Sequence, residues 1–363
     1  MIPIAKPLIG QEEIDGVVNV MRSGVIAEGP KVKEFEEAFA RYIGVEHAIA
    51  VNSGTAALLV ALQAKGLGPG DEVITTPFTF IATANAILYT GARPVFADIR
   101  EDTFNIDPED VKSKITDRTK AIIPVDLYGQ TADMKAIMDI ASDHCLAVIE
   151  DACQAHGASI DGKKAGSFDV GCFSFYPTKN MTTSEGGMVT SADSSFSDRA
   201  RMVRSHGSRI RYFHEMLGFN LRMTDISAAI GLAQLRKIDA YNDKRVENAT
   251  RYSEKLAGIR GLVTPTVGRG NKHVFHQYTI RITDAFGIDR DEVIRRLGSA
   301  GIGSGIYYPL PIHLQQYYKQ LGFNDSHPIA ERMAKEVISL PVHPSVTFED
   351  INLITDTIRG LSH

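Results

Sequence analysis

The sequence predicts an α/β fold, with a mostly parallel central sheet covered by helices on both faces and a smaller C-terminal α+β domain. Three observations predict it. From about residue 45 to 190, short apolar runs alternate with Gly- or Pro-bearing turns and helical stretches, the pattern of a layered α/β structure. The apolar runs are continuous rather than alternating, as strands buried on both faces require. Beyond them the pattern changes to one long helical segment and then to isolated strands and helices. The 363 residues accommodate a large domain over 1–240 and a small one over 241–363.

Each element has its own signal. "AIAV" (48–51) leads into the helix "SGTAALLVALQAKG", and "EVITT" (72–76) leads through "PFTF" into "IATANAILYTG". "PVFADI" (94–99) precedes a loop containing "NIDPED", and "AIIPVDLYG" precedes the helix "DMKAIMDIASDH". "LAVIED" follows as a strand. "GCFSFY" and "GGMVTS" lie so close together that at least one must run against the parallel majority, because a parallel pair needs a crossover. The stretch from "LGFNLRM" to "RYSEKLAG" reads as one long helical pattern that bridges the two domains. After it, "HQYTIRI" reads as a strand, "DRDEVIRRLGSAGI" as a helix opened by an Asp cap, and "AERMAKEVISLP" as another helix.

Composition narrows the function classes. With 44% hydrophobic and 23% charged residues and a net charge of −5, the chain reads as soluble and globular, with nothing to attract nucleic acid. No apolar run is long enough to span a bilayer, and the N-terminus lacks the layout of a signal peptide, so no membrane is expected and the cytoplasm is. Cys145, Cys153 and Cys172 lack paired zinc spacing and read as reduced buried thiols; no metal is expected. "GASIDGKK" has the Gly-x4-Gly-Lys spacing of a phosphate loop, but Lys164 stands where the metal-binding Ser or Thr belongs. It reads as a hairpin turning at Asp161 and Gly162.

Three segments can carry chemistry. In "NSGTAA" a strand ends at Val51 and small residues open a helix, so Ser53, Gly54 and Thr55 could form an anion cup; Ser53 could equally be a plain helix cap. In "VIEDACQAHG", Glu150 and Asp151 end an apolar parallel strand, where such folds present ligand groups. A buried Asp151 needs a cation or strong donors, or else it caps the next helix. In "SFYPTKN", Lys179 sits in a turn between two strands; desolvation there would free its amine for imine formation, although most lysines are surface charges. Together the three are the groups that pyridoxal phosphate needs: a phosphate cup, a carboxylate for the pyridine nitrogen, and an imine-forming lysine.

The sequence resembles the DegT/DnrJ/EryC1/StrS sugar aminotransferases, which are fold-type I pyridoxal phosphate enzymes. "NSGTAAL", "TPFTFIATANAI", "PVFADI", "VDLYGQ", "IEDACQAHGA", "SFYPTKN", "EGGMVT", "LGFNLRMTDISAAIGLAQL" and "YYPLPIHLQ" occur in the family's order, from about residue 50 to 316. The resemblance implies pyridoxal 5'-phosphate as cofactor, with Lys179 as the Schiff-base lysine and Asp151 as partner of the pyridine nitrogen. It further implies Gln154 as donor to the ring hydroxyl, Ser174, Gly54 and Thr55 as phosphate ligands, and Phe80, with Phe78 as its possible confusant, as the stacking aromatic. Asn220 would reach the phosphate of a neighbouring subunit, which implies a homodimer with shared active sites. His206, Arg222, Tyr308 and His313 would line the sugar pocket.

The implied reaction moves an amino group from an amino acid, glutamate by resemblance, to a nucleotide-linked keto-sugar, with a 3-keto sugar favoured over a 4-keto one. Two alternatives stand beside it. Sugar dehydratases of the family carry His in place of the lysine, which Lys179 argues against. A non-catalytic cofactor-binding regulator would call for a DNA-binding appendage or a basic face, and neither appears in the sequence.

Overall fold

The apolar runs assemble into a seven-stranded sheet in the computed structural model, which describes residues 1–362. Its strands are β1 (His47–Val51), β2 (Glu72–Thr75), β3 (Arg93–Phe96), β4 (Thr119–Ile123) and β5 (Ala147–Asp151), then, after a small hairpin of β6 (Ser159–Ile160) and β7 (Lys163–Lys164), β8 (Val170–Ser174) and β9 (Gly187–Ser191). The order across the sheet is β1-β9-β8-β5-β4-β2-β3. Only β9 runs against the others, pairing antiparallel with both β1 and β8. The physical reason is the one expected: no crossover helix joins β8 to β9. The β6–β7 hairpin turns at Asp161 and Gly162, both at positive φ, as a two-residue hairpin loop requires.

Helices cover both faces. α1 (Gln11–Ser23) and α2 (Pro30–Ile43) precede the sheet; α3 (Gly54–Ala64), α4 (Ala82–Tyr89), α5 (Pro108–Ser113) and α6 (Met134–Asp143) fall between its strands; α7 (Ser194–Arg204), α8 (Asp225–Leu235) and α9 (Ile238–Leu256) follow it. α3 is apolar nearly all round and lies in the core against β5, β8 and β9, joined there by Phe196, Ala200 and Val203 of α7. On the other face Phe39 of α2 packs edge-on against Phe173 and Phe175 around β8, with Phe35 tilted against Phe175. Between α7 and α8 a short hairpin, β10 (Ser208–Ile210) and β11 (Phe213–His214), stands out from the surface.

The long helical segment is in fact two helices. α8 and α9 are separated at Arg236 and Lys237, with "LGFNLRM" outside both. α9 starts in the core beside the sheet, through Ile238, and ends in a second core through Ala249, Tyr252 and Leu256. That second core is built on a three-stranded antiparallel sheet of β12 (Leu262–Val263), β14 (Tyr278–Ile282) and β15 (Val337–Leu340), while β13 (Asn271–Lys272) pairs back onto β6. α10 (Arg290–Ser299) is opened by Asp289, whose carboxylate accepts from Glu292 N–H. α11 (Gln316–Gln320), α12 (Pro328–Glu336) and α13 (Phe348–Arg359) complete the chain.

Two further sequence expectations are corrected. "AERMAKEVISLP" is not all helix: α12 stops at Glu336, and the fully buried Val337–Leu340 adds a strand to β14, because a continuous apolar run suits a sheet with a covered face. Cys145 is exposed in a left-handed turn rather than buried, whereas Cys172 is buried and Cys153 half-buried. No described helix is long and apolar enough to cross a membrane.

Candidate active site

The carboxyl ends of β1, β2, β5 and β8 converge on one cavity of about 360 Å³, the position at which open α/β sheets hold ligands. β1 delivers Ser53, Gly54 and Thr55. Ser53 does act as the cap, its hydroxyl accepting from Ala56 N–H at 3.1 Å, so the N–H groups of Gly54 and Thr55 are left for the cavity. A Cβ at Gly54 would lie 2.6 Å from Ser174 Cβ, so only glycine lets the cup close against β8. Ser174 lines the same wall.

β5 ends in two carboxylates that part to opposite sides. Glu150 is fully buried and accepts from the N–H groups of Gly166 and Phe168, both at 2.9 Å; burial pushes its carboxyl up to about 7. Asp151 faces the cavity. It accepts from the Thr83 hydroxyl at 2.7 Å and from Cys153 N–H at 3.3 Å, and Thr83 in turn meets the Thr79 hydroxyl at 3.2 Å. No lysine or arginine pairs with Asp151 among the described residues, so this nearly buried carboxylate has only neutral donors. Such a carboxylate is poised for a cation.

Lys179 projects from the turn between β8 and β9, its own N–H donating to the Tyr176 carbonyl at 2.9 Å. It lines the cavity, and burial holds its amine below the ordinary lysine value, against the opposing pull of the Cys153 thiol and Asp151. Gln154 is fixed from both ends: its Oε1 accepts from Tyr128 N–H at 2.9 Å, and its Nε2 donates to the Tyr308 hydroxyl at 3.3 Å. Tyr308 faces Phe80 across 6.1 Å between ring centres. The two phenylalanines lie in different places. Phe78 is fully buried in the core with Phe104, while Phe80 lines the cavity and is 55% exposed. The arrangement can grip a flat, phosphorylated, cationic ring between an anion cup, a carboxylate and an aromatic face, with an amine at one edge.

Residues 7–359 match the DegT/DnrJ/EryC1/StrS aminotransferase family. The chain belongs to that family. Among its relatives are the spore coat polysaccharide biosynthesis protein SpsC of Bacillus subtilis, 42% identical over 99% of this chain and 97% of that one, and the GDP-perosamine synthase of Caulobacter vibrioides, 44% identical over 97% and 96%. A third is the UDP-N-acetyl-3-dehydro-alpha-D-glucosamine 3-aminotransferase of Acidithiobacillus ferrooxidans, 43% identical over 97% and 94%. Solved structures superpose closely. DesV of S. venezuelae, in complex with a ketimine intermediate, has a TM-score of 0.92 at 39% identity over 96% of this chain and 94% of its own. The sugar aminotransferase Spr1654 of Streptococcus pneumoniae, described as putative and in its PMP form, has a TM-score of 0.94 at 31% identity over 99% and 97%. The α/β architecture is therefore that of the family's aminotransferases.

Of the residues singled out in the sequence, Gly54, Thr55, Phe80, Asp151, Gln154, Ser174, Lys179 and Tyr308 meet in the cavity. His313 does not. It is buried outside the cavity, with Nε2 3.2 Å from Glu331 and its ring against Phe96 and His327, because the short helical turn at Ile312–Leu314 directs it toward α12. Asn220, His206 and Arg222 lie on the surface segment that follows α7, where Asn220 bridges to Ser205 and Arg222 pairs with Glu28 at 3.6 Å. Within one chain none of these three reaches the cavity lining. Sequence reasoning missed Thr83, Tyr176, Glu185 and His276, which do. Thr83 carried a signal, a hydroxyl in the first turn of a helix that follows a strand end; His276 was hidden in what read as plain strand.

Proposed function

We propose that this enzyme moves an amino group from an amino acid, with glutamate as donor, to the ketone of a nucleotide-linked keto-sugar, with pyridoxal 5'-phosphate as cofactor. The observation that carries the reading is the single cavity that unites an anion cup, an unpaired carboxylate and a desolvated lysine. The N–H groups of Gly54 and Thr55 and the Ser174 hydroxyl would hold the phosphate. Asp151 would accept a hydrogen bond from the protonated ring nitrogen, Gln154 would donate to the ring hydroxyl, and Phe80 would cover one face. When bound, pyridoxal phosphate supplies an electron-poor ring that takes up the electron pair left as a Cα–H bond breaks. The Lys179 amine takes the proton from the donor's Cα; held below its ordinary pKa by burial, it is available in the neutral form that such a base needs.

A ketone at C3 is favoured, in keeping with the 3-dehydro sugar in one relative's name. The enzyme works in the cytoplasm as a homodimer with shared sites. A second copy suits the apolar surface left open by α1 and the segment after it (Ile14, Val18, Ile26) and by the β10–β11 hairpin and the residues just after it (Tyr212, 76% exposed, and Leu217, 74%). It would also bring Asn220, His206 and Arg222 to a neighbouring cavity. Spectroscopy tests the reading. Protein supplied with pyridoxal phosphate should gain a visible band that borohydride bleaches and Lys179→Ala abolishes, and glutamate should convert that band to a near-ultraviolet one. A band that glutamate leaves untouched would sink transamination.

A further inference from the structure

His276 lies at the cavity wall just before β14, 6% exposed, and its Nδ1 is 3.3 Å from the Oδ1 of Asn180, the residue after Lys179. The chain of partners behind Asn180 decides which ring nitrogen carries the proton. Asn180 Nδ2 donates to the Val274 carbonyl at 3.1 Å and to Asn242 Oδ1 at 2.8 Å, and Asn242 Nδ2 donates to the His156 carbonyl at 2.8 Å. Backbone carbonyls only accept, so both amides are fixed in orientation and Asn180 must turn its oxygen to the ring. That oxygen also only accepts. Nδ1 therefore holds the hydrogen and Nε2 the lone pair.

Neither Nε2 nor the Lys179 amine has a hydrogen-bond partner among the described residues, and unlike both ring nitrogens of His156 the Nε2 is not sealed off; both residues line the same cavity, which leaves the two groups free to pair. The groups that act on the ring are Lys179, Arg245, His156 and His273, with no carboxylate among them. Arg245 is itself buried, donating to the carbonyls of Phe275 and His276 at 3.2 and 3.3 Å. Burial first, and then the Lys179 ammonium, hold the imidazole well below its ordinary pKa, so it stays neutral and its Nε2 can only accept.

We propose that His276 is a positioning residue for Lys179, its Nε2 lone pair being the acceptor to which the free Lys179 amine donates one N–H. Donation through one N–H turns the amine's own lone pair away from the ring and toward the reacting carbon. The role as a proton-carrying amine rests on the proposed function; the tautomer and the hydrogen bond do not.

The test has two readouts that need no transamination. In cofactor-free protein carrying 15N-histidine, long-range NMR correlations should show His276 with hydrogen on Nδ1 and a bare Nε2, neutral from about pH 8 down to at least one unit below the ordinary histidine pKa. The opposite tautomer or a charged ring overturns the proposal. In the same cofactor-free protein, the pH dependence of Lys179 acylation, read by mass spectrometry, should shift to lower pH in His276→Phe, which removes an acceptor that favours the ammonium. It should return in His276→Gln, whose amide oxygen reaches the Nε2 position; glutamine behaving like phenylalanine overturns the proposal. In the loaded enzyme, His276→Phe should slow Cα proton transfer by about 100-fold, as for a misplaced reacting group. The isotope effect from 2-deuterated glutamate should rise with an unchanged KM, and glutamine should rescue. A defect confined to the KM of the keto-sugar would instead assign Nε2 to a sugar hydroxyl and refute the proposal. Should the phenylalanine variant fail to fold, the wild-type spectrum and the glutamine variant decide. An enzyme that never transaminates sinks the functional reading while the first two readouts still judge His276.

Discussion

Asp151→Asn removes one negative charge and almost no volume, and the surroundings allow the exchange to be followed atom by atom. The asparagine oxygen can keep the Cys153 N–H, while its amide hydrogen points to Thr83; the Thr83 hydroxyl then turns to Thr79, a pair in which either oxygen can donate. Every hydrogen bond survives, so the cofactor-free variant should match the wild type within about 1 kcal/mol, or a few degrees in Tm. Because the carboxylate has no salt-bridge partner among the described residues, removing its charge relieves desolvation and the change should tend toward stabilisation. Catalysis should behave in the opposite way. Losing the charge that faces the ring nitrogen forfeits electrostatic stabilisation worth about 10²–10³ in rate, or ~3–4 kcal/mol. The assays are thermal unfolding without cofactor and single-turnover kinetics with glutamate. A cofactor-free protein several kcal/mol less stable, or a variant that turns over at the wild-type rate, would refute the reasoning.

Gly54→Ala should force α3 and β8 apart, since the new Cβ would sit 2.6 Å from Ser174 Cβ; we expect a loss of about 1–3 kcal/mol in stability and weakened cofactor binding by fluorescence titration. Glu36→Ala strips the shared acceptor from Arg201, Arg204 and Ala50 N–H, with Arg204 only 6% exposed, and should cost about 3–5 kcal/mol in a denaturant titration. Stability should also fall in acid. Burial depresses both His156 and His273 to about 3, so the unfolded chain binds their protons first as pH falls below about 6.5. Each then removes about 1.4 kcal/mol per pH unit until its folded pKa is reached; a Tm unchanged between pH 7 and 5 would contradict the assignment.

The parallel strands were legible because each is a continuous apolar run ending at a Gly, Pro or Ser turn, and burial on both faces demands that pattern. Where two elements share an apolar run the pattern is silent about the boundary. Nothing breaks "RMAKEVISL" at Glu336 except the pairing of Val337–Leu340 with β14, a tertiary event. The division between α8 and α9 has no Pro or Gly to mark it. In the cavity, Asp151 and Lys179 could be found because their types are anomalous in apolar surroundings. His276 could not, since its meaning comes from Asn180 and Asn242, which are 96 residues and 34 residues away. His313 misled for the converse reason: a loop rich in aromatics and prolines reads the same whether its histidine faces a ligand or, as here, Glu331.

On the proposed function, this cavity transfers an amino group, through Lys179, to a keto-sugar. The measurement that tests it most directly is mass-spectrometric tracking of nitrogen from 15N-glutamate, with cofactor present, into a panel of 3-keto and 4-keto nucleotide sugars. The wild type should deliver the label to a 3-keto sugar and Lys179→Ala should deliver none. Label that never reaches a sugar, or reaches it equally without Lys179, would contradict the account.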